Sequence, residues 1–134
     1  MEATAARTPL EVLGELTSAF LAFTDRGEAT RSLELCAEPF EVSMMGKTGG
    51  IDLFRSFMEQ REKAGHQSRH VVCFPTVTRA GSEAVEGVVP VVAYRLVDGK
   101  FSIGVADFDV KVVRDGEQWK VSRWGLRPFT LQTF

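Results

Sequence analysis

The sequence predicts an α+β fold: three N-terminal helices packed on a strongly curved, mostly antiparallel sheet. Three observations carry it. Up to Gly65, apolar residues recur at helical spacing. After Gly65 the chain turns rich in Val, Phe, Trp and Thr. Ala-Gly and Asp-Gly signals then cut that second part into lengths suited to hairpins. Helices first and a run of strands after is the α+β order.

Residues 1–7 read as a loose leader, and residues 8–134 as a single domain. The first helix starts at Thr8, which can cap it, with Pro9 in the first position and Glu11 completing a capping box. Leu10, Leu13, Leu16 or Thr17, Phe20 and Leu21 form its apolar stripe, and "DRG" at 25–27 breaks it. "EATRSLELCAE" reads as a second, shorter helix stopped by Pro39. "FEVSMMG" reads as a strand and "KTGG" as a loop. "GIDLFRSFMEQREKAG" reads as a third helix, with Ile51, Phe54 and Met58 on one side and Gly65 as its stop.

Four strand-like segments follow, the first being "RHVVCFPTVTRAG". In the third, Phe108, Val110 and Val112 share one face, while Asp107, Asp109 and Lys111 share the other. Pro90, inside an apolar run, calls for a bulge or an edge. Trp119 and Trp124, five apart, fall on opposite faces of the last strand, one in the core and the other free for a subunit contact.

At 134 residues the chain suffices for one core without staples. Its net charge is −2 and its Lys and Arg are scattered, so a nucleic-acid partner is not expected. No apolar run reaches the length of a membrane span, and the N-terminus lacks a signal pattern. A cytoplasmic location is the default, with Cys36 and Cys73 as reduced, core-packed thiols. The chain contains no Asn, which excludes N-linked glycosylation.

"GKTGG" carries the end of a phosphate-binding loop, but the Gly required five residues before Gly46 is Glu41. The pattern is rejected. The protein has two histidines, His66 and His70, four apart. On a helix they would share a face as metal ligands do, but Gly65 ends the helix and no third ligand stands nearby. No metal and no cofactor are expected. His70 precedes an apolar strand, so its ring is either a structural element or a proton carrier in a pocket. Asp25 is the candidate for an orienting carboxylate, although the residues alone favour a turn role in "TDRG". Asp107 and Asp109 read as a solvated strand surface. Arg69, Arg123 and Arg127 could hold an anion only if they converge.

The order helix, "DRGE", short helix, strand, helix, "SRHVV", then hairpins ending "VVRDGEQWKVSRW" resembles the SnoaL-like family of the nuclear transport factor 2-like superfamily, the cystatin-like cone fold. The resemblance spans residues 8–130. It implies a cone whose bent sheet packs on the helices and encloses an apolar pocket. In the scytalone dehydratase and lindane dehydrochlorinase members that pocket holds a His-Asp pair, and the matching positions here are His70 and Asp25. The lining implied is Phe20, Phe54, Met58, Val72, Phe108 and Trp124. Phe74 stands where relatives place a polar Asn and implies a drier pocket.

The resemblance therefore implies a cofactor-independent lyase, isomerase or cyclase acting on a small hydrophobic cyclic or aromatic metabolite. Two other expectations stand beside it. One is a binding protein that holds such a molecule without chemistry. The other is an interaction subunit, since relatives dimerise through the open sheet face and some serve as small subunits of ring-hydroxylating oxygenases.

Overall fold

The computed structural model describes residues 7–133. All but Arg7 of the leader expected over 1–7 lies outside the described residues. Helix α1 (Pro9–Asp25) opens on the expected capping box: Thr8 Oγ1 accepts from the Glu11 amide at 3.1 Å, and the Glu11 carboxylate accepts from the Thr8 amide at 3.3 Å. Such a cap is worth about 1 kcal/mol. The buried face of α1 is Val12, Leu13, Leu16, Thr17, Phe20 and Leu21, with Leu10 only half-buried.

The second helix is shorter than expected. A 3-10 helix covers Ala29–Leu35, and the chain turns extended at Cys36. Strand β1 (Cys36–Met44) needs Cys36, Phe40 and Val42 in the core, which overrides helical propensity there. Pro39 lies inside β1, at the irregular register between Cys36 and Glu41, where a missing N–H is tolerated. Most of the expected "KTGG" loop is strand β2 (Lys47–Gly49), joined to β1 by a tight turn with positive φ at Met45 and Gly46. Helix α2 (Ile51–Ala64) ends on left-handed Gly65 (φ 67°). A hairpin thus separates the helices, which do not all precede the sheet.

The expected strand over 69–81 is two strands, β3 (Gln67–Val72) and β4 (Thr76–Ala80). Both pair with β5 (Ala84–Val97), which also pairs with β6 (Lys100–Asp115), itself paired with β7 (Gln118–Thr133). The order is β2-β1-β7-β6-β5-β3, with β4 also on β5. Every pair is antiparallel except β1–β7, so the sheet is mixed. Pro90 is neither on an edge nor in a bulge. It sits in regular register opposite Asp107, beside the break between β3 and β4, where its carbonyl accepts from Cys73 N at 2.8 Å. That break spares the sheet the donor that proline lacks.

Helix α1 lies close on the sheet at Gly87. A Cβ there would meet Leu13 Cδ2 at 2.4 Å and the Thr76 carbonyl at 2.5 Å, so only glycine fits without a shift. Val85, Val89, Val91, Phe108, Val110, Val112, Val121 and Trp124 face the helices and form the core with them. The two tryptophans do not lie on opposite faces. The register shifts between Lys111 and Val112, leaving Ser122 as an extra residue in β7. This bulge turns Trp119, Val121 and Trp124 all to the core side. On the outer face, Arg123 bridges Glu86 at 2.9 Å and Asp109 at 3.2 Å.

Candidate active site

Strand β3 alternates, with Ser68, His70 and Val72 partly buried and Gln67, Arg69 and Val71 exposed. The C-terminal end of α1 lies against this buried face and delivers Asp25 to it. Asp25 Oδ1 is 2.6 Å from His70 Nδ1 and accepts from Ser68 Oγ at 2.8 Å, while Oδ2 accepts from the His70 amide at 2.7 Å. One carboxylate therefore grips both the backbone and the ring of His70. The His70 side chain is 7% exposed and that of Asp25 12%.

This network fixes the proton. An ionised carboxylate only accepts, so Nδ1 carries the hydrogen and Nε2 keeps its lone pair. Burial works to raise the Asp25 pKa, but the bonds from the His70 amide, Ser68 and the His70 ring outweigh it and hold the acid below its ordinary value. For His70, burial disfavours the charged ring, and the nearby Arg95 and Arg61 charges add to this. Asp25 opposes them, and the net direction is down from 6.5. At neutral pH the ring is uncharged beside an ionised carboxylate.

Two residues hold the pair in place that spacing did not single out. Ser68 precedes His70 by two and so shares its face. Arg61, in the last turn of α2, donates from Nη2 to Ser68 Oγ and to the His66 carbonyl, both at 2.9 Å. Period-two alternation in "SRH" was the available signal for Ser68. Arg61 had none, because the contact bridges a helix end and a strand.

His70 lines a cavity of about 280 Å³ between the helices and the sheet. Phe20, Phe54, Met58, Phe108 and Trp124 line it too. The Trp124 ring lies 4.7 Å from Phe20 and 4.6 Å from Phe108. Val72 and Phe74 do not reach it. Val72 packs against the core and borders outer grooves, and Phe74 is 78% exposed in the break after β3, outside the cavity. The drier pocket expected from Phe74 therefore does not follow. Cys73, in the same break, is only half-buried; Cys36 is buried, and burial pushes its thiol up to about 12. Missed from the lining were Met44, Phe57 and Leu126, together with Arg61, His66 and Arg95. Arg69, Arg123 and Arg127 do not converge: Arg123 is engaged on the outer face, and Arg69 and Arg127 are exposed. His66 reaches the cavity edge, and among the described residues no three His, Cys, Asp or Glu side chains cluster as a metal site.

A cone of helices and sheet around a pocket with a histidine on its wall defines a class, and comparison with known proteins places the chain in it. The SnoaL-like domain family model matches residues 13–125, and the chain belongs to that family. No curated protein matches it in sequence. Its fold is similar to that of a protein provisionally assigned as a scytalone dehydratase from Novosphingobium aromaticivorans: TM-score 0.81, 16% identity, 92% of this chain and 85% of that one. It is similar to hexachlorocyclohexane dehydrochlorinase LinA-type3 from Novosphingobium barchaimii: TM-score 0.79, 15% identity, 92% and 88%. It is also similar to the β subunit of a provisionally assigned aromatic-ring-hydroxylating dioxygenase from N. aromaticivorans: TM-score 0.74, 12% identity, 92% and 90%. At these identities the likeness is one of fold.

Proposed function

We propose that the protein is a cofactor-independent lyase or isomerase in which His70 moves a proton to or from carbon, acting on a small hydrophobic cyclic or aromatic molecule. The observation that supports this best is the 2.6 Å contact between Asp25 and a His70 that lines the apolar cavity. Nε2 takes a proton from an activated C–H. The electron pair left on carbon either expels a group from the neighbouring atom or shifts along the ring. The imidazolium, held by Asp25, returns its proton to the departing group or to the new carbanion site. Proton transfer of this kind supplies about 10²- to 10⁴-fold, and positioning against the aromatic wall supplies more.

Two structural likenesses accord with this reading, since one neighbour is named a dehydrochlorinase and another is provisionally assigned as a scytalone dehydratase. A drier pocket would favour binding without chemistry, and Phe74, the residue that implied one, lies outside the cavity. A subunit that serves only for interaction has no use for an internal pocket, whereas this fold holds a cavity of about 280 Å³. A homodimer through the open sheet face belongs to the same proposal. Among the described residues no helix is long and apolar enough to cross a membrane.

The test is exchange of carbon-bound hydrogen in D₂O, followed by mass spectrometry over a panel of cyclic ketones and aromatic compounds bearing a leaving group beside an acidic C–H. Deuterium uptake or elimination is expected for at least one class. The neutral ring is the active form and its pKa is lowered, so the rate should be level above pH 6.5 and fall with acid through a midpoint below it. A panel with neither exchange nor elimination overturns the proposal.

A further inference from the structure

The charged residues on the cavity wall have one sign. Its lining includes Arg61 and Arg95 but no Asp or Glu among the described residues. The same two arginines, with His66, also line an outer groove that runs past Asp25 and Ser68. They therefore stand at the border between the apolar interior and the solvent side. Arg95 is exposed, which makes this border a mouth open to solvent.

Among the described residues neither Arg61 nor Arg95 makes a direct ion pair, and the Asp25 charge reaches Arg61 across Ser68. Arg61 spends its Nη2 on a hydroxyl and a carbonyl, and its Nε is buried without a hydrogen-bond partner. A buried guanidinium nitrogen left unpaired is costly, and an oxyanion is its natural complement. Asp25 opposes an incoming anion, but its two oxygens are already taken by Ser68 and His70. Glu62, which borders the outer groove, is bonded to Thr30 at 3.0 Å.

We infer that the site takes an anionic substrate, an aromatic or cyclic body in the apolar cavity with a carboxylate or comparable oxyanion held at the mouth by Arg95 and Arg61. This rests on the proposed use of the cavity as the reaction site and narrows its substrate class. A carboxylate so held would stand beside the C–H presented to His70, and the cationic pair would stabilise negative charge passing onto it as the proton leaves. The arginines are binding residues here; the proton moves through His70.

The probes are 2-naphthoate and its uncharged analogue 2-naphthamide, titrated by calorimetry against wild type, Arg95→Gln, Arg61→Lys and His70→Gln. One charge-assisted contact is worth roughly tenfold in affinity or more. Wild type should bind the carboxylate at least about tenfold tighter than the amide, and added salt should shrink the difference. Arg95→Gln, at an exposed position, should remove most of the preference and leave the amide unchanged. Arg61→Lys should reduce the preference less, because a charge remains. Equal affinities in wild type, no binding of the naphthoate, or an Arg95→Gln variant with the preference intact would overturn the inference. Turnover separates the two readings. A carboxylate preference in a wild-type protein that turns over no substrate leaves this inference standing and sinks the catalytic one. Turnover of neutral substrates alone, lost in His70→Gln, does the reverse.

Discussion

His70→Gln should lower proton exchange or elimination by about 10²- to 10⁴-fold while leaving the fold intact. Gln keeps a comparable volume and a polar end, so the loss isolates the proton carrier. Asp25→Asn should cost at least about a hundredfold through a different route. The amide can donate where the carboxylate only accepts, and it would then donate to Nδ1 and move the ring proton onto Nε2. The lone pair that faces the substrate would be gone. The amide would also remove the charge that favours the imidazolium, so the residual base would be weaker and its acid limb would move to lower pH. The second variant is the more informative, because the His70 amide can still donate to the Asn oxygen, at the position of Oδ2, and hold the backbone. Wild-type rates in both variants would leave the pair as a structural contact.

Phe54→Ala should cost about 3–5 kcal/mol of stability, toward the lower end of that span. Phe54 is 0% exposed, and its ring lies 5.0 Å from Phe40 and 5.7 Å from Phe20. It joins α2 to α1 and to β1 through one aromatic stack. One side of the ring already borders the cavity, so part of the usual contact loss is absent, which sets the lower end. Urea unfolding measures the cost. The same variant enlarges the cavity and should admit a bulkier ring system than wild type binds. A cost under about 1 kcal/mol would mean that the helices are held to the sheet by other contacts.

Local signals in the sequence reached far into this structure. Thr8, Pro9 and Glu11 marked the start of α1, and Gly65 marked the end of α2, because caps are written in adjacent residues. The inward set Phe108, Val110 and Val112 followed from alternation alone. The failures share a cause: each depended on a partner distant in sequence. The core demand for Cys36 and Phe40 shortened the second helix. The break at Cys73–Pro75 is set by the β3 and β4 pairings to β5, and it threw Phe74 outward. One bulge at Ser122 put both tryptophans on the core side. In the site, the resemblance named Asp25 and His70 across forty-odd residues where spacing could not. Neither spacing nor resemblance pointed to Arg61, Ser68 or Arg95, which reach the pair from α2, β3 and β5.

The proposed chemistry turns on the protonation state of one ring, and the protein offers a clean way to observe it. With only two histidines, ¹⁵N-labelled imidazole signals can be assigned by a single His66→Gln variant. A pH titration should then show His70 uncharged at pH 7, with its proton on Nδ1 and Nε2 unprotonated, and a midpoint below 6.5. A His70 still charged at pH 7, or a neutral ring with its proton on Nε2, would contradict the assignment of His70 as the base.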